Sequence, residues 1–222
     1  MNIWIKICAN TSLADAQLAA EAGADAVGFV FAPGPRRVTP EQVASITAHL
    51  PATVEKIGVF VEADFTEISA AVEACGLTGV QLHSEFQDGL AAQLRQRFGP
   101  ELRILRVIHF DGDAAGQLQL AGIDANIDAV LIDSRTASAV GGTGVAFDWH
   151  AARSTLFTDS SRKKLVAAGG LTPANVAQAV ATLRPWGVDV ASGVEAVPAR
   201  KDHAKVRDFI SRARVAAYSQ AV

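Results

Sequence analysis

The sequence predicts a single (β/α)₈ barrel, and three observations support that fold class. Eight short runs rich in β-branched residues recur along the 222 residues, and each precedes a longer segment with helical spacing of apolar residues. The runs are almost continuously apolar, which is typical of parallel strands covered by helices. Divided over eight units, the chain gives roughly 28 residues to each, near the small end for this barrel.

The predicted elements follow in order along the chain. The eight strands cover residues 3–7, 26–30, 56–61, 79–82, 103–108, 129–132, 164–168 and 188–191. Polar residues suited to N-caps mark helix starts, twice with proline directly after them: Thr11, Thr39, Asp64 and Thr172. Glycines at the ends of helical segments predict C-caps with positive φ: Gly23, Gly76 and Gly99.

An open, doubly wound sheet is the competing architecture. The segment after the first strand reads CANTS rather than the G-x-G-x-x-G of a dinucleotide-binding turn, so the closed barrel is favoured. Since no linker, repeat or low-complexity stretch interrupts the pattern, residues 1–222 are predicted to form one domain.

Composition excludes several classes of partner. The net charge is −3 and no basic stripe is present, so nucleic acid and anionic membranes are not expected to bind. No apolar run is long enough to span a bilayer, and the N-terminus does not resemble a signal peptide. The two cysteines, Cys8 and Cys75, lie far apart, which favours reduced thiols in a cytoplasmic protein.

Barrel enzymes place their active sites at the carboxyl ends of the strands, so residues at those positions are candidates. Cys8 ends the first strand and could act as a base once ionised, although a free cysteine is more often a small buried apolar residue. Asp133 ends the sixth strand, where a carboxyl could donate a proton or could simply cap the following loop.

Glycine-bearing loops follow the last strands, where barrels often bind phosphate through backbone N–H groups. A single such loop is weak evidence, because glycine turns are ordinary. Three at successive strand ends favour a phosphate site formed by Gly142, Thr143, Gly144, Gly169, Gly170, Ser192 and Gly193.

These motifs and their order resemble the phosphoribosylanthranilate isomerase family along nearly the whole chain. The matching stretches are IKIC (5–8), GADAVGFVFAPGPRRVTPEQ (23–42), IGVFV (57–61), VQLH (80–83), VLIDS (130–134), GGTGVAFDW (141–149), AGGLTPANV (168–176) and GVDVASGVEAVPARKDH (187–203). The resemblance implies a (β/α)₈ barrel that converts N-(5-phosphoribosyl)anthranilate to 1-(2-carboxyphenylamino)-1-deoxyribulose 5-phosphate in tryptophan biosynthesis.

The resemblance also implies residue roles. Asp133 would be the general acid that opens the ribose ring, and Cys8 the general base that removes the proton from the second sugar carbon. Arg37 would pair with the anthranilate carboxylate, for which a guanidinium is suited, whereas the neighbouring Arg36 is expected to be solvated. Asp189 would contact sugar hydroxyls, or else be a buried polar residue that stabilises the barrel.

No cofactor or metal is expected. His83 ends the fourth strand without a cluster of His or Asp at neighbouring strand ends, so it is interpreted as lining the pocket rather than binding a metal. Cys75 is interpreted as a buried helix residue, and the other histidines as structural or exposed. The expected partner is the small-molecule substrate, and the protein could be a monomer or a homodimer.

Three local departures from the family pattern are visible: Ala9 and Ser84 where glycine is usual, and Val145 where lysine is common. Ala9 adjoins the proposed base and puts the site geometry in question. Two alternatives stay open, namely another sugar-phosphate isomerase or epimerase barrel and a catalytically silent barrel that binds a phosphate ligand. The first would be expected to show an acidic residue at position 8 or clustered metal ligands.

Overall fold

The computed structural model describes residues 3–83, 89–110, 113–133, 148–158 and 163–219. Eight parallel strands close into a barrel in sequence order, with β8 pairing back onto β1. The strands are β1 (Trp4–Ile7), β2 (Ala26–Val30), β3 (Glu55–Phe60), β4 (Gly79–Leu82), β5 (Arg103–His109), β6 (Ala129–Asp133), β7 (Lys164–Ala168) and β8 (Gly187–Val190). The predicted fold class is therefore confirmed, and each predicted strand lies within about a residue of the observed one at either end.

Helices surround the barrel and bury their apolar faces against the outside of the strands. They are α1 (Leu13–Glu21), α2 (Pro40–Thr47), α3 (Phe65–Cys75), α4 (Leu90–Phe98), α5 (Ala114–Ile123), α6 (Trp149–Thr155), α7 (Val176–Leu183) and α8 (His203–Ser219). A short 3₁₀ turn (Ser192–Val194) and an antiparallel hairpin of β9 (Glu195–Val197) and β10 (Arg200–Lys201) join β8 to α8. Among the described residues, no helix is long and apolar enough to cross a membrane.

Helix starts test the capping predictions. Thr39 and Asp64 are N-caps, as predicted, and each accepts a hydrogen bond from the backbone of the third helical residue in a complete capping box. The prediction for Thr11 was wrong: Ser12 caps α1, and the Thr11 hydroxyl donates to the Ala199 carbonyl instead. Thr172 is also not the cap of α7, because a turn closed by Asn175 precedes a helix that begins at Val176.

The barrel interior is divided into layers. Strand side chains alternate, so one face of each strand points inward. Toward the amino ends of the strands the interior is an apolar cluster that includes Trp4, Ile57, Leu105 and Val166. Nearer the carboxyl ends the polar side chains of Lys6, Gln81 and Asp189 meet, next to a smaller apolar cluster of Cys8, Ala9 and Val59. Candidate catalytic side chains are therefore sought in this layer, at the carboxyl ends of the strands.

Candidate active site

Four of the predicted site residues, Cys8, His83, Asp133 and Asp189, lie at or near the carboxyl ends of their strands. Asp133 continues the face of Leu131, which is part of the apolar cluster inside the barrel. Cys8, His83 and Asp189 lie at the ends of β1, β4 and β8. Cys8 is 6% exposed and Asp133 is 4% exposed, so both candidate proton-transfer groups are shielded from bulk water.

The backbone around Cys8 is tightly held. The Cys8 N–H donates to the Val190 carbonyl of β8 over 2.8 Å, and the Asn10 amide bonds the carbonyls of Ile7 and Gly28. Ala9, between them, has φ of 60°. That conformation is strained for an L-residue with a Cβ and natural for glycine. The departure at Ala9 is thus accommodated with the turn intact, at the expense of local strain.

Three polar side chains meet below Cys8 in the barrel. The ammonium of Lys6, which is 0% exposed, donates to Gln81 Oε1 over 2.8 Å and to Asp189 Oδ1 over 2.9 Å. Asp189 therefore forms a buried ion pair across the β1–β8 seam, where the two residues are direct neighbours in register. This geometry supports the stabilising interpretation of Asp189 and leaves sugar contact as a proposal.

Lys6 and Gln81 were missed as site residues by the sequence interpretation. Each is a charged or polar residue inside an otherwise apolar strand, IWIKIC and GVQLH, and its alternation with Cys8 or His83 assigns it to the interior. A long polar side chain predicted to face the inside of a barrel needs a partner there. That requirement is the feature of the sequence from which Lys6 and Gln81 could have been predicted as residues of the barrel interior.

Burial and charge act in opposite directions on the Cys8 thiol. Burial raises its pKa above the ordinary value; Lys6 opposes this increase, while Asp189 adds to it. Burial alone would lower the pKa of Lys6, but Asp189 and Cys8 more than compensate and raise it. Cys8 is therefore a neutral thiol in the resting protein at neutral pH, next to a charged ammonium.

Asp133 stands beside His109, its register partner on β5. The His109 ring centroid is 6.1 Å from that of His83, whose Nε2 lies 2.9 Å from the Gln81 amide nitrogen. The carboxyl ends of β4, β5 and β6 thus present two imidazoles and a carboxyl side by side. His83 follows β4 at the mouth of the barrel, and its role in lining the pocket stays a proposal.

The loop after β2 carries two adjacent arginines with different environments. Arg36 binds Glu195 in a bidentate pair, Nε to Oε1 over 2.8 Å and Nη2 to Oε2 over 2.7 Å. The expectation that Arg36 is solvated was wrong, because the turn directs it toward the hairpin after β8. The Arg37 side chain is exposed and has no hydrogen bond or ion pair to the residues that the structure describes.

Glu195 is the centre of a charged cluster at the rim. Its carboxylate also lies 3.5 Å from the Lys201 ammonium, which donates to the Ala191 carbonyl. Burial would raise the pKa of Glu195, but the Arg36 hydrogen bonds and the Lys201 charge lower it overall. Glu195 is consequently ionised at neutral pH and links the β2 loop to the β8 loop.

The loops after β7 and β8 pack against each other through glycine. Gly169 and Gly170 have φ of 80° and 65°, and the Asn175 amide donates to the Gly170 carbonyl. A Cβ built on Gly193 would lie 1.8 Å from the Leu171 carbonyl oxygen, so any other residue would push the two loops apart. The predicted phosphate residues Gly142, Thr143 and Gly144 lie outside the described residues, as do Ser84 and Val145.

The described residues contain no metal-binding cluster, and the second thiol lies on a helix outside the barrel. Within the described ranges, no group of three or more His, Cys, Asp or Glu side chains is arranged to hold a metal ion. Cys75 is buried on α3, where its Sγ donates to the Pro40 carbonyl over 3.4 Å. That contact agrees with the structural interpretation of Cys75.

Sequence comparison identifies a consistent set of relatives. Residues 5–212 match the family model described as "N-(5'phosphoribosyl)anthranilate (PRA) isomerase". A protein named N-(5'-phosphoribosyl)anthranilate isomerase from Pelobacter propionicus is 42% identical over 213 residues, 96% of each chain. Its namesake from Pseudomonas fluorescens is 44% identical over 212 residues, covering 94% of this chain and 97% of its own.

Solved structures give the same result. Phosphoribosyl anthranilate isomerase from Thermotoga maritima superposes with a TM-score of 0.82 at 35% identity, covering 96% of this chain and 99% of its own. An isomerase in complex with reduced 1-(o-carboxyphenylamino)-1-deoxyribulose 5-phosphate superposes with a TM-score of 0.79 at 33% identity and the same coverage. Since the match extends over nearly all of the barrel, the chain belongs to the family of N-(5'-phosphoribosyl)anthranilate isomerases.

Proposed function

We propose that this protein converts N-(5-phosphoribosyl)anthranilate to 1-(2-carboxyphenylamino)-1-deoxyribulose 5-phosphate, a step of tryptophan biosynthesis. The observation that carries the proposal is the placement of Cys8 and Asp133, both shielded, at one end of a barrel of this family. An Amadori rearrangement needs one group that gives a proton to oxygen and another that takes a proton from carbon. A carboxyl and a thiol can divide those tasks.

The reaction begins at the ribose ring oxygen. Asp133 protonates it, the bond from that oxygen to the first carbon breaks, and the amine nitrogen lone pair forms the protonated Schiff base. Cys8 first gives up its own proton to solvent, and as the thiolate it then removes the proton from the second carbon. The electrons left behind form the enolamine and neutralise the iminium nitrogen, and tautomerisation gives the ketone. Both groups act as proton carriers, and no redox partner, metal or cofactor is required.

Substrate binding is assigned to the loops around these groups. The phosphate is proposed to lie against backbone N–H groups of Gly142, Thr143, Gly144, Gly169, Gly170, Ser192 and Gly193, at the ends of β6 to β8. The exposed Arg37 guanidinium, which is not engaged by described residues, is available for the anthranilate carboxylate. His83 and Asp189 border the sugar between them.

The cellular context follows from the same proposal. The ligand is a small phosphorylated metabolite, so no nucleic acid or membrane partner is required, and a cytoplasmic enzyme is expected. The relative from Thermotoga maritima is described as dimeric. We propose a monomer or a homodimer here, with each site complete within one barrel.

The decisive experiment removes each proton-transfer group separately. Asp133→Asn keeps the size of the side chain but cannot supply an acidic proton, and Cys8→Ala removes the thiol. Each variant should lose about 10²–10⁴-fold or more in turnover, measured by the decay of substrate fluorescence. Since neither change touches the phosphate loops, the reduced product analogue should still bind within about tenfold of wild type.

Cys75→Ala provides the matched control for the thiol. It also removes a buried sulfur, but from α3, so turnover should remain near that of wild type. If both Cys8→Ala and Asp133→Asn turned over substrate at the wild-type rate, the chemistry would lie elsewhere. If the wild-type protein bound the analogue but did not isomerise the substrate, it would be a silent binding barrel.

A further inference from the structure

The barrel interior contains a lysine that the proposed reaction does not use. The Lys6 side chain is completely buried, and its ammonium is fixed from two sides by Gln81 Oε1 and Asp189 Oδ1 at 2.8 and 2.9 Å. The Gln81 amide in turn contacts His83 at the barrel mouth over 2.9 Å. A flexible side chain is thereby held in one place, directly beneath the site.

The position of Lys6 relative to Cys8 follows from the strands. Two residues apart on β1, they share the interior face. A Cβ built on Gly28 of β2 would lie 2.8 Å from Cys8 Sγ and 2.9 Å from Lys6 Cε. The missing side chain at Gly28 therefore leaves the space in which the end of the lysine and the sulfur lie next to each other.

Other charges also face Cys8 from the surrounding elements. Asp189 on β8 is negative and opposes ionisation of the thiol, whereas Lys201 on β10 and Arg36 in the β2 loop are positive and favour it. Burial raises the pKa of Cys8, and among the charged groups Lys6 acts on it most strongly, in the lowering direction. Lys6 is thus the main influence that counteracts burial.

We propose that Lys6 is a positioning residue that makes Cys8 usable as a base, because its ammonium, anchored by Gln81 and Asp189, stabilises the Cys8 thiolate. Asp189 keeps Lys6 charged within an apolar barrel, and Gln81 directs it. The inference depends on the proposed role of Cys8 in the reaction. The effect that it predicts, promotion of the ionisation of a buried thiol by a nearby cation, can be measured without substrate.

The experiment measures thiol reactivity in a Cys75→Ala background, where Cys8 is the only cysteine. Iodoacetamide alkylation is followed by mass from pH 6 to pH 10, on the rising limb below the Cys8 midpoint, because the thiolate is the reacting form. A cation within about 4–6 Å changes a pKa by roughly one unit or more. In Lys6→Met this limb of the rate profile should therefore shift upward by about one pH unit or more.

The rate changes less than the thiolate fraction. A rise of one pKa unit reduces the thiolate fraction about tenfold below the midpoint, while the more basic thiolate becomes roughly threefold more nucleophilic. Alkylation at pH 7.5 should therefore slow at least about threefold. A purely structural role for Lys6 predicts the opposite, since a loosened barrel would expose Cys8 and speed its alkylation.

Lys56→Met is the matched control. Lys56 is also a buried strand lysine, but its ammonium donates to the Pro51 carbonyl outside the barrel, so alkylation of Cys8 should be unchanged. If Lys6→Met fails to fold with Asp189 unpaired, Lys6→Met combined with Asp189→Leu removes both charges. Slower alkylation is still expected in the double variant, because Lys6 influences the thiol more than Asp189 does.

The outcomes separate this inference from the proposed function. The role of Lys6 is overturned if Lys6→Met is alkylated at or above the wild-type rate, even if Cys8→Ala proves inactive. Where the single variant does not fold, the same criterion applies to the double variant. Conversely, full turnover by Cys8→Ala would refute the proposed base, while the alkylation profile would still show whether Lys6 promotes ionisation. Where both hold, the pH limb of kcat/KM in Lys6→Met should move upward together with the limb of the alkylation profile.

Discussion

Two ion pairs connect the end of the barrel to its beginning, and they differ in burial. Lys6 and Asp189 meet inside the barrel at 2.9 Å, with the lysine side chain 0% exposed. Arg36 and Glu195 meet at the rim in a bidentate pair, with the arginine side chain 22% exposed. Both pairs join the first two βα units to the last one.

The difference in burial separates their roles. Breaking the interior pair leaves a charge where water cannot replace the lost partner, whereas Arg36 at the rim can be rehydrated. The interior pair therefore adjusts electrostatics beside Cys8 and is sensitive to loss of either member. The rim pair connects the loop after β2, which also carries Arg37, to the hairpin after β8.

The largest expected effect comes from Asp189→Asn. The substitution keeps the shape but leaves Lys6 as an uncompensated buried charge, so the free energy of unfolding should fall by about 3–5 kcal/mol at pH 7 in urea denaturation. Asp208→Asn breaks the exposed i,i+4 pair with Arg212 and should lose less than about 1 kcal/mol. Equal losses in the two variants would contradict a buried charge pair.

The same variant should reverse a pH dependence. In the wild type the pKa of Lys6 is raised, so its contribution to stability is present below the ordinary lysine pKa and is lost as pH rises through the folded value. Without Asp189, burial should lower that pKa, and the unfolded chain then binds the proton more tightly. Stability of Asp189→Asn should therefore increase from pH 7 toward pH 10.

The two pairs also show how far sequence alone can predict this molecule. Eight recurring apolar runs, each followed by a helical segment, were sufficient to predict the barrel, because hydrophobic patterning and helix capping are local properties of the sequence. Capping succeeded at Thr39 and Asp64, where both halves of the capping box are encoded, and failed at Thr11 and Thr172, where tertiary contacts and a turn decided the helix start.

The location of the candidate site residues was predictable where position in a strand was enough. Cys8 and Asp133 stand at strand ends, and their burial at one mouth follows from the closed barrel. The pairing of Lys6 with Asp189 spans 183 residues and depends on the register of the β1–β8 seam, which no local pattern contains. Likewise, only the turn decides which of two adjacent arginines meets Glu195.

Effects of intermediate size on kinetics and stability are expected when Arg36 and Arg37 are replaced separately. Arg37→Ala should lose about 1.5–3 kcal/mol of transition-state binding, or roughly 10- to 150-fold in kcat/KM, with little change in stability. Arg36→Ala should raise KM by about tenfold or less, because the loop is released rather than a substrate contact removed. The free energy of unfolding of Arg36→Ala should also fall by about 1–2 kcal/mol, since Glu195 loses two hydrogen bonds.

Steady-state kinetics and urea titrations on the same preparations distinguish the two arginines. A stability loss with unchanged KM in Arg36→Ala would show that the rim pair does not position the loop. Wild-type kinetics in Arg37→Ala would remove that residue from the site, whatever Arg36 does.

The smallest expected effect is a change in stability at acidic pH. Arg36 and Lys201 lower the pKa of Glu195, so the rim pair contributes stability above the ordinary glutamate pKa and loses it as pH falls through the lower folded value. Glu195→Gln should be about 1–2 kcal/mol less stable than wild type at pH 7. The difference should shrink as pH falls below the ordinary glutamate pKa, because the wild type then progressively loses the stability that its charged carboxylate contributes. The free energy of unfolding of the interior variant Asp189→Asn is expected to change between pH 7 and pH 10. The two pairs should therefore affect stability in separate pH ranges. A Glu195→Gln deficit that stayed constant down to pH 3 would mean that the rim contributes through shape rather than charge, and the contrast between the two pairs would then be one of packing.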